Sequence, residues 1–557
     1  MKLVIVETPA QAKVLNDVLG DGWSVEPCYG LARGLVDGEL GIDPAADFRP
    51  TFAVAASKSN LVRRLMKAVR ECETVYAATS PGREGELMAW HVLALSPDTK
   101  DKRIYRVSLS LLTGEAIRSA FAAPRPLNMH WIDTELALRL VDRLVGYTVN
   151  AIARERSDHR AVSRTAMVAL CRLAAQETAP LPAPVERWKV AVRLNVDGTE
   201  IKTALHHADG GLLNFTTQDK AEAAVAGLRA VQYWVTKAGI RQRELPAPAP
   251  YTLASLLVDG ERKLRITPGD ALRLIDTLVD TGWITHPLES YPPTLAEAAR
   301  RYLRREYGTD YAVNTSVEAG NGIAPADVTR LPEDLPGDGA ALYRLIWRRF
   351  MAAILPPARL RQSGILFGAG ADRAHAYPLS LKSVGTMAAF DGWLRVLHDE
   401  QPHLGNYLPT AREGDTALFV GTEVERLSPP APRRLTGAVL IAEYGSARPV
   451  DWAAALDSLE TAEYIQRDDD NPLTLTESGI SLAAWLNERF PSVVSERDVA
   501  RLDIDLERIA VGERGHVEIV RDFWERLTAD ARPAAVPQSI RAVGEPKPVV
   551  LRPAEEV

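Results

Sequence analysis

The segment at 77–91, AATSPGREGELMAWH, constrains this chain more than any other. Residues 74–80, TVYAATS, are a short apolar run ending at a turn, the pattern of a strand buried in a parallel sheet. Pro81-Gly82 supplies the turn, and 83–95 reads as a helix packed back on the sheet. Across 1–150, short apolar strands alternate with helical stretches, so this part is expected to be an α/β domain. Glu84 and Glu86 fall in the first helical turn, where the helix dipole favours a carboxylate whether or not it binds a ligand.

The rest of the chain is too long for one core. At 557 residues it should form several domains, because single cores stop growing beyond about 250–300 residues. Hydrophobic residues at 46 % and charged residues at 25 % are ordinary globular values. Cys28, Cys72 and Cys171 are scattered with no C-x-x-C, which excludes a zinc ribbon and argues against a disulfide framework. No apolar run approaches membrane-spanning length, and the start shows only a four-residue apolar stretch behind one lysine, so neither an anchor nor a signal peptide is expected. The net charge of −7 gives no general attraction for nucleic acid, though a local basic groove survives global acidity because charges are screened over about 8 Å.

Proline clusters at 179–184, 246–250, 356–357 and 429–432 divide the chain, and the stretch from Pro533 has too few apolar residues to fold. Residues 186–245 and 373–428 alternate as strands do. The segments 253–286 and 437–466 share an outline of helix, turn, helix and aromatic-containing strand, that of a winged-helix unit with 468–475 as the second wing. On the helix expected at 133–147, Leu136, Leu140, Val141, Leu144 and Val145 make one apolar face. Arg139 and Arg143 share another face, suited either to phosphate or to ion pairs with Asp142 or Glu135.

The strand–turn–helix resembles the D-x-D-R-E-G-E-x-x-A-W-H segment of type IA DNA topoisomerases. The opening LVIVETPAQAK at 3–13 is similar to the first strand and helix of their Toprim domain. DTELALRLVDRLVGY at 133–147, SRTAMVAL at 163–170, LVDTGWITHPLES at 278–290, DVTRLPEDL at 327–335, LYRLIWRRF at 342–350 and GSARP at 445–449 resemble further family segments in family order. The resemblance implies a multidomain α/β, α and β protein. A Toprim α/β domain (1–150) is followed by a toroidal core with two winged-helix-like units and a β arch. The arch comprises 186–245 and 373–428. A helical winged-helix DNA-binding domain is made of 151–185 and 429–530, a second winged-helix-like domain at 246–372 carries the nucleophile position, and 531–557 is a flexible tail.

The same resemblance marks departures at the reacting positions. The two metal-binding aspartates are Ser80 and Gly82, the lysine expected after Glu7 is Gln11, the nucleophilic tyrosine is His286, and the arginine two residues on is Leu288. The family's H-E-A-I-R-P reads GNGIAP at 320–325, so Gly320 and Ala324 replace its histidine and arginine. Losing one group that stabilises the transferring phosphoryl costs about 10²–10³ in rate, and these losses fall on one site. Glu7, Glu84 and Glu86 remain as weak candidate ligands for Mg²⁺, with no zinc expected. Arg83, Arg139, Arg143, Arg164 and Arg448 are the candidate nucleic-acid contacts. The expected function is binding of single-stranded DNA without cleavage, in a cytoplasmic, nucleoid-associated bacterial protein. Two alternatives are an active topoisomerase using His286 or a relocated nucleophile at Tyr291, and a structural subunit with protein partners in a mobile-element or defence complex.

Overall fold

The computed structural model describes residues 1–531 apart from 96–98, 100–101, 110, 156–159, 179–185, 208–209, 312–321, 401–403, 406–407, 428–434, 446–447 and 469–471. Gly320, the proline clusters at 179–184 and 429–432, and all of the expected tail after Ala531 lie outside the described residues.

Four parallel strands run in the order Trp23–Pro27, Lys2–Val6, Thr74–Ala77, Arg103–Arg106. Leu3 through Val6 are all fully buried, because alternating side chains enter two separate cores. Leu3 and Ile5 meet Val62, Leu65 and Val92 on one face, while Val4 and Val6 meet Leu15 and Ile117 on the other. The expected helix after Gly82 is Arg83–Leu93.

Seven antiparallel strands form the β unit, six of them long and the short Asn214–Phe215 paired beside the start of Arg187–Val196. The long strands are ordered Thr199–His207, Leu379–Phe390, Ala358–Gly370, Gln232–Leu245, Thr416–Leu427, Arg187–Val196, and the last pairs back onto the first. The sheet therefore closes into a barrel filled by Val192, Leu194, Ile201, Leu205, Val235 and Phe367, and most of its edges are removed by closure. The expectation that the second β segment opens at 373 is corrected: its first strand is Ala358–Gly370, which lies within the range assigned to a helical domain. Three glycines, one of them in a Ser-Gly pair, blur its alternation; the pairing on both sides decides it.

Apart from Gln218–Leu228, which packs into the barrel core, the helices outside the α/β domain share one continuous core. At its centre is Met129–Ala153, longer than the 133–147 expected and buried through Leu136, Leu140, Val141, Leu144 and Val145. It packs against Arg83–Leu93, Glu496–Ala510 and His516–Ala531, so the α/β domain and the carboxy-terminal helices clasp it from different sides. Of the two similar segments, the second has helices Gly437–Tyr444 and Pro449–Thr461 followed by an antiparallel hairpin of Ile465–Arg467 and Leu473–Leu475. The first has helices Leu253–Leu264 and Pro268–Asp280, but its expected strand is only a single bridge between Ile284 and Pro325. Among the described residues no helix is long and apolar enough to cross a membrane.

Candidate functional site

The strand–helix turn is held from beneath by a buried arginine that sequence reasoning missed. Arg106, fully buried, donates to the carbonyls of Ala77 (2.9 Å), Val107 (2.6 Å) and Ser80 (2.6 Å), and through Nε to Glu86 Oε1 (3.1 Å). Glu86 also accepts from Arg125 and from the Asn128 backbone NH (3.1 Å). It is 0 % exposed, so this carboxylate is a structural counter-ion and is corrected as a metal candidate. Gly85 lies so close to the turn that a Cβ there would sit 1.6 Å from the Ser80 carbonyl oxygen.

Gly82 is the other end of that turn. Its φ of 91° is a left-handed conformation that glycine adopts freely, and an added Cβ would lie 3.3 Å from Leu288 Cδ1. The loop around 286 therefore closes directly on the position where the resemblance implies a metal ligand. Ala324 joins the same loop: Thr285 NH donates to the Ala324 carbonyl (2.9 Å) and Ala324 NH donates to Thr285 Oγ1 (3.0 Å). Four of the altered positions, Gly82, His286, Leu288 and Ala324, are thus brought together by elements far apart in sequence.

Their chemistry is that of a closed contact. His286 Nδ1 accepts from the Leu288 NH (3.3 Å), and burial holds its imidazole down to about 4, so it is neutral at physiological pH. Burial raises the Glu289 carboxyl while the nearby Arg106 and Arg125 charges oppose that shift, which ties this loop to the same buried arginines. Tyr291 is 1 % exposed and meets Phe350 edge-on at 5.2 Å. Burial pushes its phenol up, the opposite of what an activated nucleophile needs. As a relocated nucleophile Tyr291 is corrected: it is a core residue.

Gln11, at the lysine position, turns inward on its own helix. Its Oε1 accepts from the Glu7 NH (3.1 Å), Thr8 Oγ1 accepts from the Gln11 NH (3.3 Å), and Gln11 Nε2 donates to Asp280 Oδ1 (3.4 Å) on the helix before the 286 loop. Glu84 is exposed and paired with Arg139 (3.1 Å). Among the described residues no three His, Cys, Asp or Glu side chains converge to hold a cation. Glu7, Glu84 and Glu86 point into three different environments, Ser80 offers only a hydroxyl, and the Gly82 backbone does not suit an aspartate. The residues present do not fit the Mg²⁺ that the resemblance implies. Cys28 is no substitute nucleophile, since burial, aided by Glu7, pushes its thiol up to about 12.

A cavity of 1220 Å³ opens between the α/β domain and the long helix, lined by Phe52, His91, Arg139, Asp142, Tyr147 and Trp524 among others. His91 is buried, accepts from Arg33 Nε at Nδ1 (3.0 Å), and is held down to about 3 by burial and then by the charges of Arg33 and Arg139. Each candidate arginine is already engaged. Arg83 pairs with Glu507 (2.7 Å), Arg139 with Glu84 and Glu135 (3.2 Å), and Arg143 donates to the Val36 and Glu39 carbonyls (both 3.2 Å). Arg164, expected to contact nucleic acid, is 2 % exposed and paired with Asp142 (2.5 Å), with Nη2 lacking a partner among the described residues. Arg448 lies near Asp451 (3.7 Å) and Asp503 (3.5 Å). The ion-pair reading of the helix pair holds in part: Arg139 takes the Glu135 partner, while Asp142 goes to Arg164 instead.

An α/β domain whose strand–helix turn faces a loop from a helical body with a β barrel is the fold of a Toprim domain joined to a type IA topoisomerase core. A family model described as DNA topoisomerase matches residues 126–521, and a Toprim domain model matches 2–112. The chain belongs to the type IA DNA topoisomerase family. It is 26 % identical over 99 % of its length to DNA topoisomerase 1 of Vibrio cholerae serotype O1, spanning 68 % of that protein. To DNA topoisomerase 1 of Zymomonas mobilis subsp. mobilis it is 27 % identical over 94 % of its length, but spans only 45 % of it. The solved full-length topoisomerase I of Thermotoga maritima shares the fold, with a TM-score of 0.81 at 23 % identity, covering 95 % of this chain and 90 % of that one.

Proposed function

We propose that this chain is a topoisomerase-fold protein that binds single-stranded DNA in the groove beside the long helix and does not cleave it. The observation that carries this reading is the approach of the exposed Leu288 side chain to Gly82, where an arginine and a metal-binding aspartate are expected: a Cβ on Gly82 would lie 3.3 Å from Leu288 Cδ1. Beside it stand a neutral His286 and a buried Tyr291, so no phenol or imidazolium reaches a metal-polarised phosphodiester. Binding without cleavage needs only phosphate contacts and stacking. Phe52, Tyr147 and Trp524 line the cavity as surfaces for unpaired bases, and Arg139 and Arg143 stand along it. Their present partners must be exchanged for phosphate, so binding is expected to be weak and salt-sensitive.

The test is relaxation of negatively supercoiled plasmid with Mg²⁺, beside a denaturing trap for covalent adducts on labelled single strands. Blank results in both, with oligonucleotide binding at low salt, uphold the reading. An adduct at His286 or Tyr291 refutes it. Failure to bind single strands at any salt concentration makes the ring a platform for protein partners instead.

A further inference from the structure

Cations free of carboxylates stand on the β unit, away from the groove. Past the barrel, the strands Gln232–Leu245, Ala358–Gly370 and Leu379–Phe390 continue as a ribbon, and its outer strand is exposed from Thr236 to Glu244 except for half-buried Ala238. Register fixes which side chains share a face. Lys237 stands opposite Leu366 and Lys382, Gly239 opposite Gly364 and Val384, Arg241 opposite Gln362 and Thr386, and Arg243 opposite Leu360 and Ala388. This face carries Lys237, Lys382, Arg241 and Arg243, all exposed, and no acidic residue. None of the four is ion-paired among the described residues. Arg241 is exposed and donates through Nε to Gln362 across the ribbon (2.6 Å).

The glycines add an independent observation. Glycine in a strand costs about 0.5–1 kcal/mol and usually marks a bulge, a bend or a close approach by another molecule. A Cβ at Gly239 would meet nothing within 4 Å, and one at Gly364 would come no nearer than 4.0 Å to the Ser383 carbonyl. Neither has a positive φ. No packing or backbone reason accounts for them, and together they leave a flat seat between the lysine pair and the arginines. The face also holds no aromatic residue, so it lacks the stacking platforms on which unpaired bases are held.

We propose that this ribbon face is a second nucleic-acid site, which seats double-stranded DNA by its phosphate backbone. A flat three-stranded face lies against the phosphate backbone, and four cations without carboxylate partners among the described residues would release counterions from the phosphates they meet. The assignment is independent of single-strand binding in the groove: cations here are unpaired and the surface is smooth, whereas the groove has aromatic walls and paired arginines.

The test compares a 24-base-pair duplex with a single strand of the same length, by fluorescence anisotropy on the full chain between 50 and 200 mM salt. In the variant Lys237→Ala, Arg241→Ala, Arg243→Ala, Lys382→Ala, the slope of log affinity against log salt for duplex should fall by about 3–4, at roughly 0.9 per phosphate contact. Single-strand affinity should stay within twofold. Gly239→Glu, which fills open space, should weaken duplex binding at least fivefold with an unchanged unfolding temperature. An unchanged duplex slope, or equal losses for duplex and single strand, overturns the proposal.

Discussion

Replacing Glu86 with glutamine separates a structural carboxylate from a metal ligand. The side chain is 0 % exposed, bonded to Arg106 at 3.1 Å and to Asn128 NH at 3.1 Å, with Arg125 alongside. The amide keeps the shape but removes the charge, leaving Arg106, also 0 % exposed, as an uncompensated buried cation. Removing one partner of a buried pair costs about 3–5 kcal/mol. For a cooperative unit of this size that lowers the unfolding temperature by roughly 6–20 °C. The same loss loosens the Ser80 carbonyl and frays the start of the long helix at Asn128. Scanning calorimetry of the full chain, with and without 10 mM Mg²⁺, reads the outcome: the first transition should drop equally in both. A drop under about 2 °C, or one seen only when Mg²⁺ is present, refutes the assignment of Glu86 as a counter-ion.

Tyr291→Ala should destabilise the helical body by about 3–5 kcal/mol by emptying a core position, while Tyr291→Phe leaves DNA binding unchanged, as denaturant melts and anisotropy would show. Gly82→Asp should not restore relaxation and should lower stability by about 1–3 kcal/mol, given the φ of 91° and the Leu288 methyl; plasmid relaxation with Mg²⁺ checks it. His91 has its folded pKa held down to about 3, below the ordinary value, so the stability it contributes is complete above about pH 6.5. That contribution is lost as pH falls toward 3, and His91→Gln should flatten the fall in denaturation midpoint. Thr8→Ala should cost about 0.5–2 kcal/mol through the lost cap, visible as a lower unfolding temperature of the α/β domain.

Local pattern determined more of this molecule than its chemistry. The run of Leu3 to Val6, the Pro-Gly turn and the apolar face of the long helix declare their elements within a few residues, because strand and helix periods are written in nearest neighbours. Ala358–Gly370 escaped notice because its glycines interrupt the alternation and only pairing on both sides makes it a strand. The positions of Ser80, Gly82, Gln11, His286 and Leu288 were legible through family spacing, and so was the absence of the expected reacting groups at them. What those residues do instead was not legible. That Leu288 comes up to Gly82, that Glu86 answers Arg106, that Asp142 takes Arg164 and that Asp280 receives Gln11 are approaches between residues from 20 to 269 positions apart. A sequence states which charges exist; whether an arginine is free for a phosphate or spent on a carboxylate depends on distance and burial. Only the tertiary structure, by bringing the helices and the barrel together, decided that the groove's arginines are engaged and that, among the described residues, Arg241 and Arg243 on the ribbon have no carboxylate partner.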